Sequence, residues 1–133
     1  MAKEAPTMTV AVDDSGGSAR SIENDLTSVY WSIPREVQDV TGVNKAAIER
    51  LLLLADFSAT LNGVFNDAAN LSHAVFATVS SASVARTVTI VTSGQTLPNE
   101  VFFTDYSMSR GSDGSLTFSA PCVLQSGTAP TWA

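Results

Sequence analysis

Cysteine and histidine are nearly absent from this chain, and basic charge is thin: one Cys, one His and seven Lys and Arg together. A single cysteine, Cys122, excludes an intrachain disulfide and a cysteine-based zinc site. A single histidine, His73, leaves no Cys/His cluster to hold a metal. The basic residues Lys3, Arg20, Arg35, Lys45, Arg50, Arg86 and Arg110 are scattered, and the net charge is −6. Nucleic-acid binding by phosphate neutralisation needs clustered cations, so that class is set aside. An acidic protein can still meet DNA by repelling it, as a channel lined with carboxylates would. No apolar run approaches a membrane span, since Leu51-Leu-Leu-Leu54 is far too short. The stretch Met1-Ala-Lys-Glu-Ala-Pro6 has no long apolar run, so no secretory signal is expected. Charged residues are also scarce, at 15%, against about a quarter in soluble domains.

What remains is apolar and hydroxylated. Hydrophobic residues make up 44% of 133, enough for one domain with a core. Ser, Thr, Asn and Gln supply most of the polar surface. Such a surface suits a protein packed against copies of itself, or equally a β-rich domain, since Thr, Val and Phe favour strands.

Residues 1–6 read as a flexible tail. Met8, Val10 and Val12 alternate and predict a strand over 7–12. Asp13-Asp-Ser-Gly-Gly-Ser18 has turn chemistry. Strand character resumes over 21–33, with Val29, Trp31 and Ile33 on one face, until Pro34 stops it. Residues 34–44 read as an extended arm or loop. Asn44 then fits the cap of a short helix over 45–53 carrying Ile48, Leu51 and Leu52, with a strand as the alternative. From Phe57 to Asn66 alternation is most regular: Phe57, Ala59, Leu61 and Phe65 point one way, Ser58, Thr60, Asn62 and Asn66 the other. Asp67 fits an N-cap for a main helix over 68–79 with Leu71, Val75, Phe76 and Val79 in one stripe. A strand follows over 87–92 with Val88 and Ile90 facing in, then a connection over 93–99. A long strand over 101–110 is expected to place Phe102, Tyr106 and Met108 on one face. Asp113-Gly114 predicts a tight hairpin into a strand over 115–120. The whole reads as one α+β domain over 1–133, a mainly antiparallel β-sandwich or curled sheet with one packed helix.

No reactive constellation emerges. His73 lies inside the expected helix, and no Gly-x-Ser-x-Gly elbow accompanies it. The carboxylate pairs Asp13/Asp14, Glu23/Asp25 and Glu36/Asp39 fall in turns or polar arms and read as solvated acids rather than a glycosidase pair. Asp13-Asp-Ser-Gly-Gly lacks the spaced ligands of a calcium loop, and Gly16-Gly17 lacks the Lys of a phosphate loop. No catalytic residue, metal or cofactor is expected. Cys122 reads as a buried structural thiol, and Trp132 as a side chain that docks on a neighbouring surface.

Five segments together carry a resemblance. They are Ile33-Pro-Arg-Glu-Val-Gln-Asp-Val-Thr-Gly42, Phe57-Ser-Ala-Thr-Leu-Asn-Gly-Val-Phe-Asn66, Gly94-Gln-Thr-Leu-Pro-Asn-Glu-Val-Phe-Phe-Thr-Asp-Tyr106, Leu116-Thr-Phe-Ser-Ala-Pro121 and Gly127-Thr-Ala-Pro-Thr-Trp132. In this order they resemble the tail tube proteins of phages with long non-contractile tails, from about residue 25 onward. The resemblance implies a hexameric ring with an inner β-barrel, rings stacked head to tail through an extended loop, and a tube that passes DNA. It implies the tape-measure, tail-tip and terminator proteins as partners, no membrane insertion, and a place in the virion after synthesis in a bacterial cytoplasm. Alternation then makes Ser58, Thr60, Asn62, Thr87 and Thr89 the channel-facing candidates. Glu36 and Asp39 are candidates for contact with the next ring, meeting Arg50 or Arg86. The rival readings are a tail terminator or other tube-like injection component, and a carbohydrate-binding or adhesion module.

Overall fold

The computed structural model describes residues 6–133. The expected tail over 1–6 falls, but for Pro6, outside them.

Ten strands and one short helix make up the described chain. The strands are β1 (Met8–Asp13), β2 (Ala19–Ser21), β3 (Leu26–Ser32), β4 (Arg35–Asp39), β5 (Arg50–Ala55), β6 (Ser58–Val64), β7 (Arg86–Thr92), β8 (Gln95–Phe103), β9 (Ser107–Arg110) and β10 (Leu116–Leu124). The helix α1 is Ser72–Phe76. Eight strands form one sheet in the order β2-β1-β7-β8-β10-β6-β3, with β9 beside β10, and β4 and β5 form a separate two-stranded ribbon. Every pairing is antiparallel.

The large sheet curls around its own apolar face. Val10, Val12, Val88, Ile90, Leu97 and Val101 from β1, β7 and β8 join Leu61, Phe118, Ala120 and Cys122 from β6 and β10 in one buried cluster. A five-residue helix is too small to cover such a sheet, so full burial requires that the two halves face each other. This is the expected curled, mainly antiparallel sheet with one helix. Cys122 lies in this core, and burial pushes its thiol up to about 12.

Several local expectations are corrected. The strand expected over 21–33 is broken by a 3-10 turn at Glu23–Asp25. Asp25, expected to be solvated, is buried. Its carboxylate accepts from the Asn66 amide at 3.0 Å and from the Ser72 backbone N–H at 3.1 Å. It therefore caps α1 from a distant part of the chain, in the role expected of Asp67. The helix is also shorter than 68–79. Asn70 has φ 64°, a left-handed conformation that a right-handed helix cannot contain.

The connection expected over 93–99 is mostly strand. Ser93 and Gly94, at φ 50° and 77°, make a two-residue turn that pairs Thr92 with Gln95. Positive φ at both central residues is what such a hairpin requires. This turn sets the register, so Leu97 and Val101 face in with Ile90, while Phe102 is exposed. Phe102 and Met108, expected on one face, are separated: Phe102 pairs with exposed Val123 and Met108 with buried Phe118, and the strand expected over 101–110 breaks between β8 and β9. Pro98 fits within β8 because Thr96, two residues before it, turns its N–H away from β7 toward Ala133. The missing N–H of Pro98 thus falls on the edge that β7 does not use.

The C-terminus returns to that same edge. Ala133 exchanges two backbone hydrogen bonds with Thr96, at 2.8 and 2.9 Å. Trp132 rests on Trp31 with ring centroids 6.3 Å apart. The surface it docks on is that of its own chain, and it stays 42% exposed.

Candidate assembly surfaces

The ribbon of β4 and β5 stands apart from the sheet. Its register pairs Arg35 with Ala55, Val37 with Leu52, Gln38 with Leu51 and Asp39 with Arg50, with a bulge between Arg35 and Val37. The neck is closed by the Asp56 N–H donating to the Pro34 carbonyl at 2.9 Å, and by the Arg35 Nε donating to the Leu53 carbonyl at 2.7 Å. The helix expected over 45–53 is absent. Three leucines and two alanines in that stretch favour helix by propensity, but cross-strand pairing with 35–39 outweighs it here.

Near the turn, Asp39 is committed inside the ribbon. Its carboxylate accepts from the Thr41 hydroxyl at 2.6 Å and the Thr41 N–H at 2.9 Å. The Thr41 oxygen accepts in turn from the Glu49 N–H at 2.8 Å. The Thr41 hydroxyl, followed by its N–H, holds the Asp39 carboxyl below its ordinary pKa.

The ribbon is apolar where a free ribbon should be polar. Val37, Val40, Val43, Ile48, Leu51, Leu52 and Leu54 are all exposed. Leu51 and Leu52 are each 51% exposed and Leu54 is 91% exposed. A two-stranded ribbon alone is marginal in water, and an apolar patch of this kind marks an interaction surface. A cleft of about 760 Å³ lies at its base, lined by Pro34, Arg35, Glu36 and residues 52–56.

Of the four residues assigned to contact between rings, three lie on the ribbon. Glu36, Asp39 and Arg50 are exposed there. Arg86 is not available: it is 2% exposed. Its guanidinium donates to the carbonyls of Asp13 and Val75 and to the Thr78 hydroxyl. Burial lowers its pKa, against the pull of Asp14 and Asp13 that raises it. Val75 is within α1, so this short helix meets a carboxylate at its start and a guanidinium at its end, the polarity its dipole favours. The signal was present in the sequence: Arg86 has the same parity as Val88 and Ile90, hence the same inward face.

The five channel-facing candidates lie on the outer face of the curled sheet, partly exposed. They form two groups. On β6, Ser58 bonds Ser32 at 3.2 Å and the Asn62 amide donates to Ser28 at 3.2 Å. Ser58 pairs with Val123, and Val123 with Phe102; Thr60 pairs with Pro121 and Tyr30. Phe102, Val123 and Tyr30 are all exposed, so this face mixes hydroxyls with apolar groups. On β7, Thr87 donates to Glu100 at 3.1 Å, and Thr89 pairs with Pro98 and Ala11. Strands β8 and β10 separate β6 from β7, so the curl aims the two groups in different directions.

His73 meets the Tyr106 hydroxyl at 3.3 Å and packs on Phe65 with centroids 4.6 Å apart, as one member of an aromatic cluster. Among the described residues no group of three or more His, Cys, Asp or Glu could hold a metal. No helix among them is long and apolar enough to cross a membrane.

This fold, a curled antiparallel sheet with a short helix and a protruding ribbon, is shared with chains of gene transfer agent particles. The chain superimposes with a TM-score of 0.74 on a chain from the tail of an empty gene transfer agent particle, a structure refined with helical and C6 symmetry. The two are 17% identical, and the match covers 95% of each chain. A chain from the virion of a native gene transfer agent particle gives a TM-score of 0.73 at 15% identity, over 93% of this chain and 95% of that one. No family model and no curated protein matches by sequence.

Proposed function

We propose that this chain is a structural protein of a phage-type tail that polymerises as stacked hexameric rings into a tube for genome passage. The observation that carries this reading is the apolar ribbon of β4 and β5, on a fold shared with a chain from a C6-symmetric tail. A protruding ribbon that fits a different surface on the next copy is a heterologous contact, which extends as a filament unless it closes. In this reading the protein has no catalytic task and resides in the virion. Its partners are copies of itself, the tape-measure protein, and the tail-tip and terminator proteins.

Glu36, Asp39 and Arg50 are the charged contacts proposed between rings. Thr87 and Thr89, with Glu100 beside them, are the preferred channel wall, because that face is the more uniformly polar. Ser58, Thr60 and Asn62 then lie beside Phe102 and Val123 at a contact between subunits. A wall of hydroxyls and carboxylates lets a polyanion slide without sticking.

Negative-stain electron microscopy of the purified chain at rising concentration tests the proposal. Rings and hollow tubes are the expected outcome. Compact monomers at every concentration, also after addition of preformed tail tips, would reject it. Replacing both Glu36 and Asp39 by Lys should shorten the tubes, and tubes of unchanged length would remove these residues from the stacking contact.

A further inference from the structure

We infer that each ribbon is gripped on both faces at once, by two different neighbouring copies of this chain. This rests on the tube-forming reading above and specifies how its contact is built. Residues paired across a ladder share a face, and successive residues alternate. Val37 and Leu52 therefore lie on one face of the ribbon, with Asp39 and Arg50. Gln38 and Leu51 lie on the other. Leu51 and Leu52 are equally exposed, so neither face is the wet one. Docking on a single surface would cover one leucine and leave its neighbour in water.

The ribbon's own body closes neither face, since Leu51 on one and Leu52 and Leu54 on the other stay exposed. Charge points to copies of the same chain as the occupants. Residues 35–54 hold Arg35, Lys45 and Arg50 against Glu36, Asp39 and Glu49, so the ribbon is neutral and the rest of the chain carries the whole net charge of −6. Two acidic bodies repel each other, whereas a neutral ribbon adds no such repulsion and can enter between them.

The test places a photo-crosslinking amino acid at position 51 or at position 52. Each variant is mixed with isotopically heavy wild-type chain, assembled and irradiated, and the linked peptides are mapped by mass spectrometry. Light-to-heavy links from both positions, to peptides on different surfaces of the partner, are expected. Links from both positions to one shared segment, or from one position only, would overturn the inference. Leu51→Lys and Leu52→Lys give a second readout. Both side chains are exposed, so each variant should keep the unfolding curve of the wild type. Each should raise the concentration needed for tubes about tenfold or more. Tubes of wild-type length from either variant would overturn the two-sided grip and leave tube formation standing. A wild-type chain that never assembles would reject tube formation, and the grip with it.

Discussion

The body and the ribbon obey opposite rules. In the body, apolar side chains alternate with polar ones, and the apolar set closes on itself around Leu61, Val88, Ile90 and Leu97, all at 0% exposure. In the ribbon, apolar side chains occupy both faces and meet water. The body is acidic and the ribbon neutral. The body thus holds the interactions that fold the chain, and in the proposed reading the ribbon holds those made with another copy. A substitution should therefore affect stability or assembly according to which region it falls in.

The largest effect should come from breaking the body. Leu61→Ala removes a fully buried side chain and should cost about 3 kcal/mol in urea unfolding. A loss under about 1 kcal/mol would mean that the two halves of the sheet do not close on each other. Gly63 tests the same region sterically. A Cβ there would lie 2.3 Å from the Asp25 carbonyl oxygen, so Gly63→Val should also unfold more easily, by about 2 kcal/mol or more.

Next comes the buried polar tie. Asp25→Ala leaves the Ser72 N–H and the Asn66 amide without their acceptor and should cost about 2 kcal/mol. Hydrogen exchange at the Ser72 amide should speed up before the core strands loosen. Uniform protection loss across the body would instead mean that α1 does not open by itself. Cys122 offers an independent probe of the body, because its thiol is buried and its pKa is pushed up to about 12. It should react with a thiol reagent at neutral pH only as fast as the body opens.

The ribbon should respond in reverse. Leu54→Ser alters a side chain that is 91% exposed, so monomer stability should change by less than about 0.5 kcal/mol. Tube formation should nevertheless fall sharply. If stability dropped instead, the ribbon would be packing on its own body.

Acid should have the smallest effect. Asp39 in the ribbon is held low first by the Thr41 hydroxyl. In the body, Asp14 is held low first by the Ser18 N–H, then by Arg20, and Asp113 by the Ser115 N–H. Each folded pKa lies below its unfolded value. Its contribution is therefore complete above about pH 4 and is lost as pH falls through the lowered value. NMR should show the Thr41 amide shifting with Asp39 while the core signals stay in place. Core signals that moved together with it would join the two regions into one unit.

Much of the body was legible because its signals are local. Alternation placed Val10 and Val12, Ala59 and Leu61, and Val88 and Ile90 on the buried face, and Asp113-Gly114 marked its hairpin. The misreadings arose where distant residues decide. Phe102 was grouped on one face with Met108, but a break between β8 and β9 separates them, and a shift of one residue in register inverts a strand's faces. Asp25 and Arg86 were read as surface charges because their partners, Ser72 and Val75, lie far along the chain or across the core. The run Leu51–Leu54 was informative in a way that helical spacing obscured: consecutive apolar residues in a strand mean two covered faces.

By itself, the sequence determined the fold class. A lone cysteine leaves no intrachain disulfide, and period-two alternation predicts a mainly antiparallel sheet with one apolar face, since side-chain direction in a strand depends only on parity. The tertiary structure alone decided where 35–39 and 50–55 meet, which charges are buried and which leucines are left in water. Those outcomes depend on pairing between segments far apart in the chain, where the energy of closing a ladder or satisfying a buried charge outweighs the preference of any local stretch.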